Sequence, residues 1–331
     1  MIIDTVFDPA AEPGAAAEVE RAGFTGAWVI ESVRDPFIVL ARAADATRSI
    51  ELGTGVAIAF ARSPMTLAQS AHDVHRLSGG RLLLGLGSQV RPHITRRFGM
   101  PWSQPAARMR EYVLALRAIW AAWNDGVPLD FRGDFYSHTL MTPTFDPGPS
   151  GFGAPPVLLG GVGRRMTAVA GEVADGFLCG PLTTVESFRT HTLPALEAGR
   201  ARSDRPDFTV AGMPLVVTGV DAATTDRVAA ATRKRIAFYA STPAYRLVLE
   251  VHGWGGLADR LHGMSRDGRW DDMADLVDDD VLDAFAVIAE PGDVAAALRK
   301  RWGGLADRLI ATFAADPGVE ILPQIAGGAA A

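Results

Sequence analysis

One cysteine, Cys179, in 331 residues excludes any disulfide within the chain and fits a reducing cytoplasm. No apolar window approaches the length that crosses a bilayer. Met1 leads straight into the apolar stretch IIDTVF with no basic segment before it, so no export signal is read. Basic residues are scattered and the formal net charge is −6, which leaves no cationic stripe for a nucleic-acid backbone. Neither nucleic acid nor a membrane is therefore expected as a partner. His72 and His75 stand three apart on one helix, but no third ligand accompanies them; no metal site is read, and the pair is expected on a solvated face. Domain-scale linkers are missing too, and 48% hydrophobic residues supply ample core, so a single domain over residues 1–331 is expected.

The stretch from Glu51 to Gln89 organises the rest. Apolar β-formers crowd both of its ends, ELGTGVAIAF and RLLLGLGSQ, while Leu67, Ala71, Val74 and Leu77 fall at helical spacing between them. Ser63 and Pro64 supply the helix start as N-cap and first helical residue, and Ser78-Gly79-Gly80 supplies the stop. Two strands joined through a helix lie parallel, and strands apolar on both faces are covered on both sides. The rhythm recurs in IIDTVF, GAWVIES, PPVLLGG and DGFLCG, then in FTVAGMPLVVTG as a seventh strand and ADRLIATFA as an eighth. It predicts an α/β protein, a single TIM (β/α)8 barrel. LDFRGDFYSH reads as a short hairpin insertion near 129–138 turning at Gly133-Asp134, and a mostly helical insertion near 240–284 separates strands seven and eight. Within it, Asp278-Asp279-Asp280 reads as a solvated helix boundary. The first strand is expected to end at Asp8-Pro9, and the tail from Gly318 to fray at its end.

In parallel α/β folds, chemistry gathers beyond the carboxyl ends of the strands. Glu31 ends strand two, where burial would favour an acid or base; the alternative is a strand-end residue paired with Arg34. Arg62 follows the third strand, and Ser88 and Gln89 follow the fourth. The loop after them, VRPHITRRFGMPW, carries His93, of a residue type suited to proton transfer, and Arg97, suited to an anionic substrate or an acidic cofactor tail. Phe98 and Trp102 are expected to pack that loop on the barrel. Gly160, Gly161, Val162 and Gly163 form a glycine-rich turn before a helix that opens with Arg164-Arg165. Backbone N–H groups exposed in such a turn bind phosphate without side-chain charge, although tight turns use the same residues. Cys179 reads as a small strand-end residue rather than a nucleophile.

The ordered set GTGVAIAFARSP, SGGRLLLGLGSQ, RRFGMPW, PPVLLGGVG, AGEVADGFLCGP and IAFYASTPAY resembles the bacterial-luciferase-like flavin and deazaflavin oxidoreductases. Within them it resembles the group that uses coenzyme F420, and the likeness covers nearly the whole chain. The resemblance implies an F420-dependent oxidoreductase that transfers a hydride between the deazaflavin C5 and a small organic substrate. It also implies a cis peptide at Gly55-Val56, in a bulge against the ring, and cofactor contacts from Gly55, Val56 and Ala57 and from Ser88 and Gln89 at the neighbouring strand end. The cofactor phosphate would lie at Gly160, Gly161, Val162 and Gly163, with Cys179 and Gly180 alongside, and the insertion would cover the mouth and set substrate choice. Glu31 is then expected to touch the cofactor and, with His93, to do acid–base work, while Arg62 and Arg97 bind substrate. Some deazaflavin relatives carry His after this acidic residue; here Ser32 follows. An FMN-dependent luciferase-like monooxygenase and a non-catalytic F420- or flavin-binding protein are the other readings. Apolar helices around a barrel commonly pair, so a homodimer is expected.

Overall fold

Eight short strands, buried on both faces over most of their length, run parallel: β1 (Ile2–Val6), β2 (Gly26–Val29), β3 (Glu51–Thr54), β4 (Leu82–Gly87), β5 (Val157–Gly160), β6 (Gly176–Cys179), β7 (Thr209–Gly212) and β8 (Arg308–Ala311). Their order is β3-β2-β1-β8-β7-β6-β5-β4, and a β3–β4 pairing closes the barrel. The computed structural model describes residues 1–8, 10 and 14–327; Pro9 of the expected first-strand end and residues 328–331 of the expected frayed tail lie outside them. Alternation along each strand divides two cores. Ala27 and Val29 join the helices in the outer core, whereas Trp28 between them packs inside the barrel with Leu158, Leu178, Ala211, Met213 and Ile310.

Trp28 explains a neighbouring glycine. A Cβ at Gly53 would stand 2.2 Å from the indole ring, so the strand beside Trp28 must carry hydrogen there. Gly53 thus admits a large lumen side chain, beyond the easing of barrel curvature that its position suggests. Gly53→Ala is expected to destabilise the fold by about 1–3 kcal/mol, the usual cost of overpacking a filled core. Denaturant unfolding measures it, and an unchanged midpoint would mean that the indole has room to move.

Toward the N-terminal end of the barrel the lumen turns polar. Arg308 Nε lies 2.7 Å from Asp4 Oδ2, the Trp28 Nε1–H donates to the same oxygen at 2.9 Å, and a second guanidinium nitrogen of Arg308 pairs with Glu51. Asp4 is wholly buried, and burial pushes its carboxyl up to about 6 even with Arg308 beside it.

The surrounding helices include α1 (Ala15–Arg21), α2 (Pro36–Ala46), α3 (Pro64–Leu77), α4 (Pro105–Asp125), α5 (Arg164–Val173) and α6 (Leu193–Arg200). Ser63 caps α3 by accepting the Thr66 N–H at 3.1 Å, and Pro64 is its first residue. Its buried face is wider than expected and turned. Leu67, Ala71 and Val74 are buried, but Leu77 is 49% exposed, and His72 and His75 are buried at 3% and 2%. The solvated reading of this histidine pair is therefore corrected. α3 packs against α2 on one side and α4 on the other, so its apolar stripe takes in both rings, His72 edge-on to Trp123 and His75 edge-on to Phe152. Burial lowers the pKa of both imidazoles. Among the described residues, no group of three or more His, Cys, Asp or Glu gathers as metal ligands.

The expected seventh strand is two. β7 stops at Gly212, and Leu215–Val217 leaves the barrel to pair in parallel with Ala286–Ile288. Met213 and Pro214 make the break: proline has no N–H for the ladder, and the Met213 side chain joins the lumen. Between β7 and β8, α7 (Ala222–Ala240), α8 (Gly255–Arg266) and α9 (Asp279–Phe285) form a helical layer with its own apolar core, and α10 (Val294–Trp302) returns to the barrel. Asp278 caps α9, and Asp279 and Asp280 are exposed, as a solvated helix start requires. The hairpin pairs Phe131–Arg132 with Ser137–His138. Among the described residues, no helix is long and apolar enough to cross a membrane.

Candidate functional site

The carboxyl end of β3 carries an irregularity that its neighbours are built around. Gly53 pairs with Leu83 and Ala57 with Leu86, so four steps along one strand match three along the other and one residue is extra. Within that bulge the Gly55–Val56 peptide is cis. Cβ atoms at Gly87 and Gly160 would lie 2.6 and 3.1 Å from the Val56 side chain, and one at Gly55 would lie 3.0 Å from Met213 Cε. Glycines at the ends of β4 and β5 thus make room for Val56. Ala57 and Ile58 resume the strand, both buried.

Glu31, just beyond β2, holds the far side of the bulge. Its Oε2 accepts the Ile58 N–H at 2.7 Å and pairs with Arg62 Nη1 at 2.8 Å; its Oε1 has no partner among the described residues. Arg62, not Arg34, is its cation. The guanidinium also donates to Asp35 Oδ2 at 2.6 Å and to the Ile58 carbonyl at 3.2 Å, and it sits over the Phe37 ring. Both terminal nitrogens of Arg62 are thus engaged by the protein, and the structure gives it the role of fixing Glu31 to the bulge.

The loop after β4 meets this side through Arg97, whose Nη2 donates to the Ser32 carbonyl at 2.6 Å while the guanidinium lies over Phe98. Phe98 and Trp102 pack on the barrel. Ser88 and Gln89 shape the turn: the Ser88 hydroxyl donates to the Gln89 carbonyl, and Gln89, at φ 58°, accepts the Val90 N–H on its own side chain. His93 is exposed at the start of a short π-helical turn, His93–Arg97, and among the described residues its ring makes no polar contact that would join it to Glu31.

Opposite lies the glycine turn. Gly163 occupies the N-cap of α5 with no side-chain cap, and the first turn of the helix holds Arg164 and Arg165 but no acid. Cations there oppose the helix dipole, an arrangement that an anion at the N-terminus would reverse in sign. Gly161 and Val162 line a narrow cleft with Cys179 and Thr183 of the β6 end and Leu247 and Val248 of the insertion. Cys179 is buried, and burial holds its thiol far above the ordinary range, which leaves no thiolate for nucleophilic work. Gly180 faces Tyr245, whose hydroxyl would stand 3.8 Å from a Cβ placed there.

The residues singled out from sequence therefore fall into two groups at one end of the barrel. Glu31, Gly55, Val56, Ala57 and Arg62 meet around the bulge, with Arg97 joined through Ser32; Gly160 to Gly163, Cys179 and Gly180 meet at the cleft; His93 stands apart. Met213, Thr183, Leu247 and Tyr245 were not singled out. Met213 hides in an apparently continuous strand, whereas Tyr245 belongs to IAFYASTPAY, a run whose place over the β6 end no local pattern reveals.

The luciferase-like monooxygenase family model matches residues 4–308. An uncharacterised protein of Mycobacterium tuberculosis is 50% identical over 303 residues, which cover 91% of this chain and 89% of that protein. The 5,10-methylenetetrahydromethanopterin reductase of Archaeoglobus fulgidus is 27% identical over 283 residues, covering 83% and 81%. Among solved structures, the coenzyme F420-dependent tetrahydromethanopterin reductase of Methanopyrus kandleri superposes with a TM-score of 0.78 at 23% identity, covering 98% of this chain and 97% of that one. Closed barrel, bulge and matched span agree, and the chain belongs to the luciferase-like monooxygenase family.

Proposed function

We propose that the chain is an oxidoreductase that uses the deazaflavin coenzyme F420 to move a hydride to or from a small organic substrate. The observation that carries this reading is the uncapped N-terminus of α5, with Gly161 to Gly163 before it and Arg164 and Arg165 in its first turn, opening beside a cleft that contains no carboxylate. A site with backbone and hydroxyl donors and no carboxylate suits a phosphate ester. The 28% identity with a putative coenzyme F420-dependent oxidoreductase of Mycobacterium tuberculosis, over 83% of this chain and 82% of that one, supports a deazaflavin.

When bound, the deazaflavin supplies the hydride carrier at its C5 position. The protein's part is to hold and to move protons. Backbone N–H groups of Gly161 to Gly163 would hold the phosphate, and the bulge at Gly55–Val56 would support the ring. Glu31, fixed by Arg62 and Ile58 through Oε2, keeps Oε1 without a partner and able to accept a proton or hydrogen bond. Arg97 draws the β4 loop toward Ser32 and so narrows the mouth around the substrate.

Equilibrium fluorescence titration with F420 and FMN side by side tests the assignment. F420 is expected to bind clearly more tightly. Comparable affinities, or binding of FMN alone, would overturn it.

A further inference from the structure

Arginine and a carboxylate frequently meet through two parallel hydrogen bonds, because the guanidinium fork matches the two oxygens. Arg62 and Glu31 meet through one. Nη1 donates to Oε2 at 2.8 Å, and Oε1 is left without a partner among the described residues. The side chains are only 6% exposed for Glu31 and 13% for Arg62, so little water is at hand to replace the second bond. Something must hold the fork off Oε1.

The start of α2 does so. Asp35, its N-cap, divides its two oxygens between two tasks. Oδ1 accepts the Phe37 N–H at 2.9 Å and the Ile38 N–H at 3.4 Å, while Oδ2 takes Arg62 Nη2 at 2.6 Å. Phe37, in the first turn of the same helix, presents its ring 5.5 Å from the guanidinium carbon, and Nη1 is shared with the Ile58 carbonyl at 3.2 Å. One carboxylate and one ring from α2 thus turn the fork so that a single nitrogen faces Glu31. Arg97 donates through Nη2 to the Ser32 carbonyl and makes no bond to Oε1 either. As an ion pair Asp35–Arg62 contributes little to stability, since the Asp35 side chain is 39% exposed. Its consequence is directional.

We propose that Asp35 is a positioning residue: by engaging Arg62 Nη2 it confines the arginine to one oxygen of Glu31 and keeps Oε1 open to the cofactor or substrate. The use of Oε1 in proton transfer rests on the F420 reading above, whereas the placement of Arg62 is read in the protein without cofactor. Asp35→Ser keeps a capping oxygen for Phe37 and Ile38, so α2 is retained, but offers no second oxygen to Arg62. Asp35→Asn, also a strong N-cap, is the second variant. Crystal structures of the parent and the variants show the fork directly, and carbon-13-edited infrared spectra, each taken as the difference from its Glu31→Gln counterpart, isolate the Glu31 carboxylate in solution. In Asp35→Ser, Nη2 is expected to swing onto Oε1, and the splitting between the antisymmetric and symmetric carboxylate stretches to narrow as both oxygens become bonded. Adding Arg62→Met to Asp35→Ser is expected to return the spectrum to that of Arg62→Met alone, a rescue that loss of the cap would not produce. A parent crystal structure with two Arg62–Glu31 bonds, an unchanged fork in both variants, or a narrowing that survives Arg62→Met would each overturn the assignment and leave Asp35 a cap. Titration with F420 tests the cofactor reading separately, since none of these outcomes depends on it.

Discussion

Arg308→Met is expected to lower the unfolding free energy by about 3–5 kcal/mol near neutral pH, because it strips the cation from a carboxylate that has no other route to charge balance. Asp4 is wholly buried, its Oδ1 has no partner, and its Oδ2 is shared between Arg308 and the Trp28 indole. The loss is expected to depend on pH. In the native protein the Asp4 carboxyl stands at about 6, above its ordinary 3.8, so the folded state binds this proton more tightly than the unfolded state does. The stability linked to it is full below the unfolded value and is lost as pH rises through the folded one. The parent protein should therefore gain stability through Asp4 between pH 7 and pH 4. The variant should lose much less against the parent near pH 5, where Asp4 is protonated in both. Urea unfolding of both proteins at the two pH values measures the difference. An equal loss at each would assign the cost to the contact of the guanidinium with the Trp28 ring rather than to the charge of Asp4.

That cluster also shows what local pattern can and cannot convey. Asp4 stands inside the apolar run IIDTVF, and nothing near it suggests a partner, because the partner arrives from the other end of the chain when β8 closes beside β1. Residues that act through their immediate neighbours are legible: Ser63-Pro64 as a helix start, Gly133-Asp134 as a hairpin turn, and the glycine turn before Arg164-Arg165; the bulge in GTGV follows only from the family resemblance. Residues whose role depends on non-local packing are not. His72 and His75 read as solvated because the sequence does not show that α3 is flanked on both sides. Pro214 was in view, yet an apolar run either side of it masked the break that sends Met213 into the lumen and Leu215 out to a second sheet. Arg62 reads as a free cation at the mouth, and only the fold brings Glu31 and Asp35 to it together.

Glu31 and His93 should separate in single-turnover hydride transfer, measured by the absorbance of bound F420 with whichever substrate turns over the parent protein. In Glu31→Gln the amide oxygen can still accept the Ile58 N–H, so the bulge keeps its support, but the ion pair with Arg62 and the ionisable oxygen are gone. If Glu31 accepts or returns a proton, the rate should fall by about 10²–10⁴-fold, the range for a general acid or base, with cofactor affinity changed far less. Arg62→Met is the comparison: it breaks the same ion pair and keeps the carboxylate, so it should lower stability and slow the reaction less than Glu31→Gln does. His93→Ala removes an exposed ring that makes no polar contact, so the melting temperature should not move and any kinetic effect belongs to the chemistry. A fall of similar size there would make His93 the second proton carrier, which requires the β4 loop to close when substrate binds. Parent-like rates in His93→Ala would remove it from the mechanism. Equal slowing in Glu31→Gln and Arg62→Met would reduce Glu31 to a positioning residue that holds Ile58 and the bulge beneath the ring.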